Sequence, residues 1–328
     1  MLRVDRSRVL AFRARASCLD ERVADPARAA YGGLQDSAPR AAVISLHARI
    51  EGCTPSSWEG PALAQIWFRA ADYVVPRDAL AAFTIGRMPR DPGAAAGLER
   101  LTDQVVAVLD GQMRPTREVG EALPELGHAI RLTSITGRVL IRWDASKIWA
   151  IPCERPDGDV EDARVELARR FVRWFGPITR DRFAWWSGIE PDDAATTWDA
   201  LDLERVEVDG RTRFVLAEEV GALVDAEPVH GVRLLPHSDP VIKFDGDLVV
   251  LDPVLRREVF PQPGVKTDFW PVAGAILCDG EVAGSWARQQ RRVTLNPWRR
   301  FSGAERDAVE AEALSIPVAK GKASVSWT

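Results

Sequence analysis

Residues 159–216 carry the pattern that most restricts how this chain can fold. Asp159 is a helix-capping residue type, and Val160, Ala163, Leu167, Phe171 and Trp174 follow it at helical spacing, so one buried helix face is expected there. Gly176 and Pro177 end that helix. A shorter one is expected from Ile178 and Thr179 through Phe183, Trp185 and Trp186 to Gly188, and a third from Pro191 through Trp198 and Leu201. Two alternating runs, 206–208 and 213–216, flank Asp209 and Gly210, a pair typical of a tight hairpin. Three helices and a hairpin are the order of a winged helix, a helix-turn-helix variant whose third helix can enter a major groove. The same order serves small folds used for protein contacts, and the pattern alone leaves both open.

The order recurs twice upstream. Helix 7–19 is followed by a connector, 30–40, in which Gly32 and Gly33 permit a tight turn or close backbone approach. Pro39 opens helix 41–50, and 63–69 with 72–75 form a hairpin before a helix at 76–83. Helices at 94–109, 116–122 and 124–132 then precede a hairpin of 139–143 with 148–151. Beyond Gly221 the period changes to short strand-like runs at 232–235, 248–251, 258–260, 272–277, 281–286 and 324–327. One helix interrupts them at 303–314, with Ser302 as N-cap and Glu305 as the matching capping-box residue. The expected fold class is α+β. Three tandem winged-helix (helix-turn-helix) units at 1–90, 91–155 and 156–225 precede a β-rich, barrel-like module at 226–328.

With 328 residues, 46% of them hydrophobic, the chain can bury real cores. No apolar run approaches the ~20 residues of a membrane-spanning helix. The N-terminus has positive charge without an apolar segment behind it, so a cytoplasmic protein without signal peptide is expected. The four cysteines and four histidines are scattered without ligand spacing, and neither metal nor cofactor is expected. Net charge is -5, yet Arg288, Arg291, Arg292, Arg299 and Arg300 stand together with no acid between residues 284 and 301. Trp286 and Trp298 interleave them. Such a run is either a stripe for phosphates, which suit arginine's planar fork, or a solvated basic face.

Several stretches, in order, resemble the bacterial winged-helix DNA-binding family that contains the AlkZ-type DNA glycosylases, which unhook bulky alkylated bases and interstrand crosslinks. Gly33-Leu-Gln-Asp-Ser37 stands where the family has a catalytic Leu-Gln-x-Gln or Leu-Gln-x-Asp element. Trp67-Phe-Arg-Ala-Ala-Asp-Tyr-Val-Val-Pro76 is similar to its first wing. Phe175-Gly-Pro-Ile-Thr179 with Phe183-Ala-Trp-Trp-Ser-Gly188 is similar to the opening of its third unit. Leu234-Leu-Pro-His-Ser-Asp-Pro240 and Cys278-Asp-Gly-Glu-Val-Ala-Gly-Ser-Trp286 are similar to its C-terminal signatures.

The resemblance implies a concave surface for double-stranded DNA, acting as a monomer, and a catalytic element at Gln35, Asp36 and Ser37. Arg69, in the first wing, joins the C-terminal arginines as an expected DNA contact. A monofunctional glycosylase needs a polar group to position water and, usually, an acid or amide to stabilise the cationic sugar. Here Gln35 holds the first position, Ser37 stands at the third, and the acid is the middle residue, Asp36. In an extended loop a middle residue projects to the other side. Two functions follow: excision of alkylated or crosslinked bases, or damage-binding or regulatory DNA binding without catalysis. A fold relative that has lost DNA binding is a third, favoured by the acidic net charge.

Overall fold

Asp159 caps as its position predicts. Its side chain accepts from the backbone N–H groups of Glu161 at 2.7 Å and Asp162 at 3.2 Å, and the helix Val160–Phe175 follows. Helices Arg180–Ser187 and Pro191–Asp199 come next, then strands Leu203–Val208 and Arg211–Leu216. Their turn places Asp209 and Gly210 at φ 49° and 73°, the two positive values of a hairpin turn whose twist matches the strands. The computed structural model describes residues 1–36, 40–243, 245–259 and 273–328 of this α+β chain.

Two further helix-then-hairpin segments lie upstream, with hairpins Leu63–Phe68 with Ala71–Pro76 and Val139–Trp143 with Ile148–Pro152. Each hairpin gains a third strand from outside it. Leu34–Gln35 joins the first and Arg114–Pro115 the second, while Leu2–Arg3 runs parallel to Leu203–Val208. The N-terminus is thereby tied to a segment two hundred residues away in sequence.

The apolar clusters cross between segments for the same reason. Phe171, Phe183 and Trp186 pack against Phe68 and Phe83 of the first hairpin segment, with Phe68 and Phe171 centroids 5.0 and 5.1 Å from Trp186. Full burial of one such side chain stabilises by about 1.5–3 kcal/mol. Val9, Leu10 and Phe12 of helix Arg6–Ala16 instead join Val206, Val215 and Leu223, together with Leu235 and Leu277 near the C-terminus. Residues 105–150 form a cluster around Val105, Leu109, Val119 and Ile141, against which Trp67 of the first hairpin packs.

The C-terminal part departs from expectation in three places. Its sheet is open: Val232–Leu235, Gly274–Cys278, Glu281–Gln289, Arg292–Pro297 and Ser324–Trp327 lie in that order, and no closed barrel forms among the described residues. The strand expected at 248–251 is a helical turn, Gly246–Val249, because a short buried apolar run has no period that separates strand from helix. The strand expected at 258–260 falls on the helix Pro253–Val259, which Asp252 starts by accepting from the N–H of Val254 at 2.7 Å. An acid before Pro is a helix-start signal that strand-like spacing masked. Residues 260 and 272, the ends of two expected strands, lie outside the described residues. Arg292–Pro297, read only as part of the basic run, is a strand. Helix Gly303–Ser315 carries the expected Ser302 and Glu305 capping box. No described helix is long and apolar enough to cross a membrane.

Candidate functional site

Gly32 and Gly33 set the direction of the motif. A Cβ at Gly32 would come within 2.7 Å of the buried Trp174 ring, and Gly33 takes φ +76°. Close approach and turn are therefore both used, one at each glycine. The chain then enters the strand Leu34–Gln35, whose Gln35 lies opposite Tyr73. The Tyr73 hydroxyl donates to Gln35 Oε1 at 3.1 Å, and Lys243 Nζ donates to the same oxygen. Burial pushes Tyr73 up to about 12, against the pull of Arg69, so it remains a donor.

Asp36 faces elsewhere, as alternation along an extended segment requires. Its carboxylate accepts from Arg40 at 3.0 Å, from Gln65 Nε2 at 3.2 Å and from the N–H of Ala42 at 3.2 Å. It thus anchors the start of helix Ala41–His47. Burial raises its pKa above the usual carboxylate range, opposed by the Ala42 and Arg40 contacts. Ser37 lies outside the described residues.

Arg69 occupies the tip of the first hairpin, where Arg69 and Ala70 take φ 50° and 58°. Its side chain hydrogen-bonds Tyr73, and its guanidinium carbon lies 3.3 Å from the Trp185 ring centroid. Trp185 is 45% exposed, whereas its neighbour Trp186 is fully buried. Trp185, Arg69, Tyr73, Gln35 and Lys243 therefore form one continuous chain of contacts, ending in an exposed aromatic face.

Lys243 reaches this site because the turn that carries it is held on both sides. On one side Asp239 pairs with Arg49 through two contacts, 2.7 and 2.9 Å, both residues fully buried, and accepts from Ser45 Oγ at 2.7 Å. On the other, Asp245 accepts from Arg13 at 2.8 Å and Arg213 at 2.6 Å. The helical turn Pro240–Lys243 lies between these anchors. Burial, then the charge of Arg69, holds the Lys243 amine down to about 8. Burial and the Lys243 charge in turn push His237 down to about 4, which leaves its imidazole neutral at pH 7.

The basic run divides. Arg288 and Arg291 line an open pocket of about 620 Å³ with Arg40, Gln290 and Lys320. Arg292 follows at the hairpin end, pairing with Gln289. Arg299 is engaged with Glu305 at 2.6 Å, and Arg300 beside it is exposed. The interleaved tryptophans serve the interior instead: Trp286 is buried and donates to the Leu235 carbonyl, while Trp298 donates to Glu258. They lend no support to a stacking stripe.

Tyr73, Lys243 and Trp185 were not among the residues the sequence marked as candidates. Tyr73 and Trp185 lay inside motifs that were quoted, and Lys243 three residues past one. What was missing was a partner for each, which only strand pairing and the Asp239 and Asp245 anchors supply.

A family described as "DNA glycosylase AlkZ-like" matches residues 28–315. The chain is 27% identical over 255 residues to an interstrand DNA cross-link repair glycosylase of Streptomyces sahachiroi, covering 68% of this chain and 67% of that one. The solved structure of Streptomyces sahachiroi DNA glycosylase AlkZ superimposes with a TM-score of 0.76, covering 100% of both chains at 18% identity. At that identity the superposition establishes the fold.

Proposed function

Because the chain belongs to the AlkZ-like DNA glycosylase family, we propose that it binds damaged double-stranded DNA with a lesion-bearing deoxyribose at Gln35. The reading is carried by one observation: Gln35 is the motif side chain whose amide oxygen two donors, Tyr73 and Lys243, hold in place. An amide so anchored is oriented rather than free to rotate, as a group that positions water must be. The three helix-and-hairpin segments are interpreted as tandem winged helices at 1–90, 91–155 and 156–225, with 226–328 as the C-terminal module. Arg69, Arg288, Arg291, Arg292, Arg299 and Arg300 are assigned to DNA contact. Trp185 offers a flat face for a displaced base.

Excision by the native chain is weak in this reading. Asp36 is committed to Arg40, Gln65 and Ala42. Ser37 brings no charge to the third motif position. The cations beside Tyr73 and Gln35, Arg69 and Lys243, oppose both a positively charged sugar and a positively charged N7-alkylated base. They favour phosphates and the neutral abasic product.

Release of an N7-alkylguanine from duplex DNA tests the reading. Gln35→Ala lowers native release by about 10²–10³, the usual cost of one well-aimed polar group, and Ser37→Asp raises it. Robust native release that survives Gln35→Ala would place the active site elsewhere.

A further inference from the structure

In water-positioned hydrolysis the amine of Lys243 only holds the amide of Gln35, the side chain that the proposed function puts against the sugar. We infer that Lys243 is an imine-forming nucleophile for abasic deoxyribose, which adds a strand-cleaving lyase activity to this chain. The inference rests on the reading of Gln35 as the sugar site.

Three observations support it. The amine meets Gln35 Oε1 directly, so a sugar carbon within reach of that amide is within reach of the lysine. The lysine is placed rather than left to a flexible surface, since the buried Asp239–Arg49 pair and the Arg13–Asp245–Arg213 cluster hold the chain on both sides of its turn. Finally, burial and Arg69 bring the amine down to about 8. Roughly a tenth of it is then neutral and nucleophilic at pH 7, far more than for an ordinary lysine. Arg69 cannot compete as nucleophile, because its guanidinium keeps its proton.

The step balances without an oxidant or a metal. The neutral amine attacks the C1′ aldehyde of the ring-opened abasic sugar, forming an N–C1′ bond as the carbonyl becomes a hydroxyl, and the carbinolamine takes up a proton from water and loses its hydroxyl as water to give a protonated imine. The C2′ proton then passes to water, its bonding pair becomes the new C=C bond, and the C3′–O bond breaks with the 3′ phosphate as leaving group. Hydrolysis of the imine returns the amine and leaves an unsaturated aldehyde on the cut strand.

The test uses the full chain and a duplex in which uracil has been removed beforehand to leave one abasic site, so no base excision is required of this protein. With sodium borohydride, a covalent protein–DNA adduct is expected, and mass spectrometry of the digested adduct maps it to Lys243. Without borohydride, the strand is cut 3′ to the abasic site. Lys243→Arg and Lys243→Met, confirmed folded by thermal melting, lower both signals at least about tenfold, since neither side chain forms an imine. An adduct on another amine, an adduct that persists in both variants, or no adduct on a duplex that the wild type binds overturns the inference alone. Failure of the wild type to bind the abasic duplex overturns the reading of the Gln35 site, and the inference with it.

Discussion

Gln35 and Asp36 are adjacent, and their side chains meet different surroundings because extended backbone alternates. One meets Tyr73 and Lys243, the other Arg40, Gln65 and the N–H of Ala42. A second acid belongs to the same neighbourhood. Asp72 is 7% exposed, its Oδ1 lacks a hydrogen-bond partner among the described residues, and burial pushes its pKa up to about 7, with Arg131 opposing and Asp36 adding. Because the folded state holds this proton more tightly than the unfolded one, Asp72 contributes stability that is complete below about pH 4. That contribution is lost as pH rises through about 7. Asp72→Asn removes the titration while keeping the shape. It is expected to match the wild type at about pH 4 and to exceed it by about 1–3 kcal/mol at about pH 8, the usual cost of a buried unsatisfied polar group. Urea unfolding at the two pH values measures the difference, and equal gaps at both would remove Asp72 as the cause.

Among the elements, the helical turn Pro240–Lys243 carries a site residue on only four residues. A four-residue turn has no stability of its own, since helix nucleation is unfavourable. Asp239 supplies the anchor: it receives Arg49 and Ser45 and also accepts from the N–H of Val241 at 3.1 Å. Asp239→Ala leaves Arg49 as a buried charge without its acid. A loss of about 3–5 kcal/mol is expected, as for other broken buried pairs. Denaturant unfolding reads the loss, and a change below about 1 kcal/mol would mean that Arg49 finds water or another acid. The first hairpin places Arg69 by a different route, with two non-glycine residues at positive φ in its turn.

For the whole molecule, the acidic total of -5 hides an uneven distribution. Arg40, Arg288, Arg291 and Lys320 surround one pocket, where the C-terminal hairpin of Glu281–Gln289 and Arg292–Pro297 meets the start of helix Ala41–His47. If that face carries phosphates, replacing Arg291 and Arg292 with alanine weakens duplex binding alike for all sequences. The salt dependence becomes shallower by about one unit of slope per lost contact. Fluorescence anisotropy across a salt series checks this. Unchanged affinity and slope would return the run to the solvated-face alternative that its sequence left open.

The three helix-and-hairpin segments were legible in the chain because their signals are local. Asp159, Gly188, Pro191, the Asp209 and Gly210 turn, and the Ser302 capping box each act within a few residues, and each forms as expected. The opposite facing of Gln35 and Asp36 was legible too, through the alternation of extended backbone. Two of the short runs beyond Gly221, 248–251 and 258–260, were not, since so few residues carry no period that separates a strand from a turn of helix. Nor were the partners of Gln35 legible. Lys243 lies 208 residues from it, and the two meet through a strand pairing and two buried ion pairs that no local pattern encodes. Local chemistry thus determined most of the elements and marked Gln35 as a candidate. The side chains that surround Gln35 were decided by packing between distant segments, because a side chain's neighbours across a core depend on every element that fills it.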